Sequence, residues 1–193
     1  MKVLITGSTG QLGYQLIRNK PNGIDIIAPN KSELNLNNPA NCRFIVEKYN
    51  PKWLINAAAF TAVDEAEKNL DICYAINSKA PIEFAKALKV NGGKLLQVST
   101  DYVFDGNQNS PYQPLQKTNP INVYGKSKEA GEQGIKKILK GKSQSLILRT
   151  SWLMGPRGKN FALTMLDLHK KKKELSVVND QSGSPTSCIS LAC

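Results

Sequence analysis

A doubly wound α/β fold on a parallel sheet is predicted by three features of the sequence. Short apolar runs alternate with helical stretches of about ten residues, the rhythm of repeated strand–helix–strand units. The first run, Lys2-Val3-Leu4-Ile5-Thr6, passes directly into a glycine-rich turn. The chain has 193 residues, 40% of them hydrophobic, which suits one compact α/β core and excludes disorder, collagen-like repeats and coiled coil.

The apolar runs predict strands at residues 2–6, 24–28, 53–58, 94–100, 145–151 and 175–178. The first helix is expected over residues 11–19, straight after the glycines. The second, over 39–49, has Asn38 to cap it and Pro39 in its first turn, where a missing N–H costs nothing. Helices over 78–90, 122–139 and 160–172 complete the alternation, which predicts strands covered on both faces. Residues 101–121 break the rhythm, with Gly106, Pro111, Pro114 and Pro120 among several Asn and Gln. Irregular segments longer than ~12 to 15 residues within a compact domain are often functional. This one follows the carboxyl end of a strand, where open α/β sheets bind ligands.

Lys and Arg number 26 against 15 Asp and Glu, a net charge of +11. Such a balance fits nucleic acid, a membrane surface or small anionic ligands. The lysine-rich stretches at 136–142 and 170–173 fall at helix C-termini, where cations complement the dipole. They are not interleaved with aromatic residues and no recognition module accompanies them, so no nucleic-acid partner is expected. No apolar stretch reaches the ~18 residues of a membrane span and the opening residues are too short for a signal core, so a cytoplasmic protein with no membrane partner is expected. Cys42, Cys73, Cys188 and Cys193 form no Cys-x-x-Cys pair, and His169 stands alone, so reduced thiols and no metal site are expected.

The glycine-rich turn reads Gly7-Ser8-Thr9-Gly10-Gln11-Leu12-Gly13. Glycine lets backbone N–H groups approach a pyrophosphate, and the helix N-terminus that follows favours negative charge. Its place between the first strand and first helix is the context a dinucleotide fingerprint requires, so cofactor binding is expected there. About 20 positions on, where an acidic residue usually holds the ribose diol of NAD, the chain has Asn30 and then Lys31. A neutral residue beside a cation leaves a 2′-phosphate unrepelled, which predicts NADPH as the preferred cofactor, with NADH as a weaker alternative.

Tyr124-Gly125-Lys126-Ser127-Lys128 opens a predicted helix, placing Tyr124 and Lys128 one turn apart on one face. An ammonium beside a phenol stabilises phenolate, so the tyrosine pKa is expected to be lowered. With the Gly-x-x-Gly-x-x-Gly turn upstream and Ser99-Thr100 at a strand end between them, the order resembles that of the extended short-chain dehydrogenase/reductase superfamily. The resemblance implies an NAD(P)-binding Rossmann fold in which Thr100 bonds the substrate carbonyl, Tyr124 transfers the proton and Lys128 also holds the nicotinamide ribose.

Further segments are similar to the dTDP-4-dehydrorhamnose reductase family: Asn56-Ala57-Ala58-Ala59-Phe60-Thr61-Ala62-Val63-Asp64, Ser99-Thr100-Asp101-Tyr102-Val103-Phe104-Asp105-Gly106, Asn122-Val123-Tyr124-Gly125, Arg149-Thr150-Ser151-Trp152 and the stretch from Val178 to Thr186. The likeness extends over essentially the whole chain. It implies NADPH-dependent reduction of the C4 ketone of dTDP-4-dehydro-6-deoxy-L-mannose to dTDP-L-rhamnose. By position, Gly10, Gln11 and Leu12 would meet the pyrophosphate, and Ala59, Phe60 and Thr61 the ribose and nicotinamide side. Val98, Thr100, Asp101 and Trp152 match the sugar-nucleotide contacts. Asn35 and Leu36 stand near the adenine, Asn35 where the family usually has aspartate. The family continues well past the Thr186 segment. The resemblance therefore implies a cofactor domain over 1–174, only the start of a substrate-binding region over 175–193, intact NADPH binding and weakened or absent turnover. A catalytically silent NADP-binding subunit and a related sugar-nucleotide epimerase or dehydratase are the alternatives. The oligomeric state is open, a homodimer among the options.

Overall fold

The computed structural model describes residues 1–140, 143–171 and 174–193. Five parallel strands form the sheet: β1 (Lys2–Thr6), β2 (Asp25–Ile27), β3 (Trp53–Asn56), β4 (Lys94–Thr100) and β5 (Ser145–Thr150), in the order β2-β1-β3-β4-β5. The chain runs outward from β1 to β2 and then returns to the opposite side of β1 as β3. That reversal opens a crevice at the carboxyl ends of β1 and β3, the usual ligand position in such sheets.

The helices are α1 (Gln11–Arg18), α2 (Pro39–Tyr49), α3 (Val63–Lys68), α4 (Leu70–Tyr74), α5 (Ala80–Asn91), α6 (Val123–Ile138), α7 (Phe161–Lys171) and α8 (Cys188–Leu191). Asn38 caps α2 by accepting from Asn41 N–H at 3.2 Å. Asn122 caps α6 by accepting from Gly125 N–H at 2.8 Å. A single π-helical turn, Ala75–Lys79, joins α4 to α5. Helices α2, α5 and α6 cover one face, where Leu4, Leu54 and Leu95 of the sheet meet Ile45, Phe84, Leu88 and Ile135 in the main core. Each such side chain contributes roughly 1.5 to 3 kcal/mol through burial. On the other face α1 packs against α8 and against β6 (Leu153–Met154), which pairs in parallel with β7 (Thr186–Ser187).

The predicted doubly wound sheet is present, and the strands over 2–6 and 94–100 have the expected bounds. The strand expected over 175–178 does not form: Val177 and Val178 are exposed and the segment is irregular. Helix α7 buries no side chain, so the unit that should deliver that run to the outer edge of β5 is itself loosely seated. Residue 172 of the expected last helix, and parts of both lysine runs, lie outside the described residues. Helices α3 and α4 and the π turn occupy a stretch in which the sequence predicts no element before residue 78. They are short, and their order comes from packing Ala66 and Cys73 against the start of α6. None of the helices is long and apolar enough to cross a membrane, among the described residues.

Candidate active site

The glycine-rich turn is shaped by steric necessity at two positions. Gly7 has φ +68°, and a Cβ there would lie 2.9 Å from the Ala58 backbone. A Cβ on Gly13 would sit 2.1 Å from the Gly7 carbonyl oxygen. The turn closes through Gly10 N–H donating to that same oxygen at 2.9 Å. Gly10 begins α1 without any side-chain cap, so the first N–H groups of the helix keep backbone donors directed at the crevice. Leu12 lies in the core, and only its backbone belongs to the turn. The Gln11 side chain instead turns towards residues 153–160: its amide donates to Leu153 O at 3.4 Å and to Lys159 O at 3.2 Å.

A row of side-chain hydrogen bonds crosses the sheet beneath the turn. Thr6 Oγ1 donates to Asn56 Oδ1 at 2.5 Å, Asn56 Nδ2 to Gln97 Oε1 at 2.8 Å, and Gln97 Nε2 to Val98 O at 2.8 Å. All three side chains are buried, which demands partners for every polar atom.

Thr100, Tyr124 and Lys128 converge at the carboxyl end of β4. Gly125 permits this, since a Cβ there would meet Tyr102 O at 2.1 Å and hold α6 away from the turn that follows β4. Lys128 Nζ donates to Val98 O at 2.7 Å, and the amine is buried. Burial pushes its pKa down to about 8, against an upward pull from Glu132. Burial likewise pushes the Tyr124 phenol up to about 12, opposed by its bond to Thr100 and reinforced by the Asp101 charge. The motif predicts the reverse direction for Tyr124. In the folded chain the amine is engaged by Val98, and desolvation of the phenol dominates. Asp101 is also raised by burial, though its carboxylate accepts from Thr100 Oγ1 at 3.0 Å.

The 57–62 segment lies between these two groups. Asn77, on the π turn, donates to Phe60 O at 3.0 Å, accepts from Phe60 N–H at 2.9 Å and donates to Ser127 Oγ at 3.0 Å. Phe60 packs beside Tyr124, whereas Thr61 is exposed. Trp152 lies two residues beyond Thr150, the register partner of Thr100, and its indole packs on Gly183. Its φ of +45° is unusual for a bulky residue. Asn30, Asn35 and Leu36 lie apart, beyond β2. Asn30 Oδ1 accepts from Ser32 and Glu33 N–H, both at 3.0 Å, while Asn35 Oδ1 accepts from Asn37 N–H at 3.0 Å and Leu36 leans on the core.

The profile described as the RmlD substrate binding domain matches residues 1–193. The chain belongs to this family.

Among RmlD relatives, it is 43% identical over 192 residues to the spore coat polysaccharide biosynthesis protein SpsK of Bacillus subtilis, covering 99% of this chain and 67% of that one. It is 40% identical to a dTDP-4-dehydrorhamnose reductase of Burkholderia thailandensis, covering 100% of this chain and 63% of the relative. The crystal structure of dTDP-4-dehydrorhamnose reductase from Bacillus anthracis in complex with NADP superposes with a TM-score of 0.92 at 42% identity, covering 99% of this chain and 67% of that one. The chain thus spans about two thirds of the length of these RmlD relatives.

Two site-shaping residues of this RmlD chain escape the motif reading. Glu132 follows Lys128 by one helical turn and is buried. It accepts from Ser99 Oγ at 2.6 Å and from Arg149 Nε and an Arg149 terminal nitrogen at 3.0 and 2.6 Å. The spacing Tyr124, Lys128, Glu132 is the signal that could have found it. Asn77 carries no such signal, because its direction depends on the π turn.

Proposed function

We propose that this chain carries the NADPH-binding and proton-transfer parts of a dTDP-4-dehydrorhamnose reductase, acting on the C4 ketone of dTDP-4-dehydro-6-deoxy-L-mannose to give dTDP-L-rhamnose. The observation that carries this reading is the convergence of Thr100, Tyr124 and Lys128 at the carboxyl end of β4, on the same rim of the sheet as the glycine-rich turn. Relatives bearing that name, which match the whole chain, and the NADP complex of one of them support it. The turn fits a dinucleotide: the space at Gly7 and Gly13 is closed to any side chain, and the uncapped start of α1 presents donors.

The cofactor, when bound, supplies the hydride. Thr100 Oγ1 and the Tyr124 hydroxyl orient the carbonyl oxygen. Burial keeps the phenol protonated at neutral pH, the form that donates as C4 accepts hydride and its oxygen accepts the proton. Lys128, anchored on Val98, places a positive charge on the face of α6 that carries the phenol and favours the phenolate left behind. Ala59, Phe60 and Thr61 line the ribose and nicotinamide side, with Asn77 fixing their backbone. Asn30 and Lys31, with Asn35 and Leu36, lie towards the adenosine, where a neutral side chain beside a cation, in place of an acidic residue at position 30, admits a 2′-phosphate. Val98, Asp101 and Trp152 face the sugar nucleotide. The same reading divides the chain into a cofactor part over 1–174 and the start of a substrate part over 175–193, and implies a cytoplasmic setting.

The test is NADPH consumption with dTDP-4-dehydrorhamnose, beside titrations with NADPH and NADH. The expected result is tighter NADPH binding and a slow turnover that Tyr124→Phe cuts by ~10²- to 10⁴-fold while NADPH still binds. Equal rates in both proteins, or no binding of either dinucleotide, overturns the proposal.

A further inference from the structure

The segment after β5 folds back over the glycine-rich turn and is tied to it by one side-chain pair. Asn160 Nδ2 donates to Gln11 Oε1 at 2.8 Å and to Gly155 O at 2.9 Å. Its other side-chain atom, Oδ1, accepts from Leu163 N–H at 2.9 Å and so caps the start of α7. Gln11, for its part, donates to the Leu153 and Lys159 carbonyls, both of which precede Asn160 in the chain. Gly158, at φ +76°, brings the backbone close to the Gln11 side chain, where a Cβ would lie 3.0 Å from Gln11 Cγ. Arg157 lies over the Tyr14 ring, 4.2 Å from its centroid, giving a second contact with α1. Residue 11 is the first of the helix whose N–H groups face the crevice, and the segment it grips leads directly from Trp152.

We propose that Asn160 is a positioning residue that clasps the glycine-rich turn to residues 153–160, so that seating a dinucleotide pyrophosphate on the turn orders the sugar-nucleotide side of the site in the same event. The inference rests on the cofactor reading above and adds a coupling between its two halves. Physically, an anion on the turn fixes the backbone of Gln11. The fixed amide offers two donors and an acceptor to the 153–160 backbone and to Asn160, and so removes alternatives from that segment.

The capping and clasping roles of Asn160 use different atoms and can be separated. Asn160→Ser keeps a side-chain oxygen for the cap but is too short for Gln11. Asn160→Asp also keeps the cap and sets a carboxylate against Gln11 Oε1 and Gly155 O. A flip of the Gln11 amide offers no escape, because it would turn its oxygen to the Leu153 and Lys159 carbonyls.

The experiment is hydrogen exchange of the 193-residue chain with and without saturating NADPH, with thermal melts to check that each variant is folded. In the unsubstituted chain NADPH is expected to slow exchange at residues 7–13 and also at 153–164, the latter by about fivefold or more, the low end of ordinary site-to-site coupling. In Asn160→Ser and Asn160→Asp the protection at 7–13 should persist while that at 153–164 falls below about twofold. Undiminished protection of 153–164 in both variants, or protection confined to 7–13 in the unsubstituted chain, overturns the clasp and leaves the cofactor reading standing. Absence of protection at 7–13 removes the cofactor reading, and the clasp with it.

Discussion

Glu132 is a negative charge with essentially no solvent, and its dependence on Arg149 can be measured. Two charge-assisted bonds of 3.0 and 2.6 Å join the pair, Ser99 adds a third at 2.6 Å, and half-exposed Lys136 stands 3.6 Å away. Burial alone would raise the carboxyl pKa, but the bonds from Arg149 and Ser99 outweigh it and hold the group below its ordinary 4.5. Arg149→Met removes the main partner and strands the charge, at a cost of about 3 to 5 kcal/mol. Lys136 and Ser99 remain, so the low end, about 3 kcal/mol, is expected, or roughly 6 to 12 °C in Tm for a chain of this size. Glu132→Leu combined with Arg149→Met replaces the pair by apolar volume and should recover most of that loss. Acidification distinguishes the cause further. The stabilisation from a lowered carboxyl is present above the unfolded pKa and lost as pH falls through the folded one. In Arg149→Met the carboxyl is raised instead, so the gap to the unsubstituted chain should narrow as pH falls. Urea unfolding of the four proteins of the cycle, at neutral and acidic pH, reads all of this. A double variant as unstable as the sum of the singles, with a gap that does not change with pH, would refute the reasoning.

Two other outcomes follow from the site. Gly13→Ala puts a methyl 2.1 Å from the Gly7 carbonyl, a backbone atom that cannot swing aside, so the turn must distort. Overpacking of this kind costs about 1 to 3 kcal/mol, and NADPH titration should show binding weakened by at least about tenfold with the chain still folded. For Lys128 the folded pKa of about 8 lies below the ordinary 10.5. Between those values the unfolded chain holds the extra proton, so stability rises with pH across that window, by up to about 3 kcal/mol. Lys128→Met should lose that rise, and unfolding at pH 7 and near pH 10 compares the two proteins directly.

The chemistry was more legible in the sequence than the machinery that aims it. Gly7, Gly10 and Gly13 announce a turn because their need is local, a positive φ or a close approach within a few residues. Tyr124 and Lys128 are legible because a helix fixes their spacing. What the phenol's pKa does was not legible, since desolvation depends on neighbours from β4 and the 57–62 segment that no local pattern specifies. Asn77 shows the same limit: one extra residue in a helical turn rotates its amide towards Phe60, and nothing in Ala75-Ile76-Asn77-Ser78 reveals that insertion. The 175–178 run is apolar and β-branched, so its pattern reads as a strand. Pairing needs an edge to meet and a well-seated crossover helix, and α7 buries none of its side chains.

The row Thr6, Asn56 and Gln97 joins residues that are also direct neighbours in the backbone ladder, Thr6 opposite Asn56 and Asn56 opposite Gln97. Parallel strands of nearly uniform apolar character have little to tell one alignment from another, because Leu4 against Leu54 or a neighbouring aliphatic is much the same. The polar row supplies the difference. Sliding β3 by two residues past either neighbour would place a buried amide against leucine, leaving donors and acceptors stranded at about 1 to 3 kcal/mol each. Three side chains thus act as an index mark for the sheet, rejecting wrong alignments during assembly. Because the mark lies at the rim, it also sets the height at which each strand delivers its loop to the crevice.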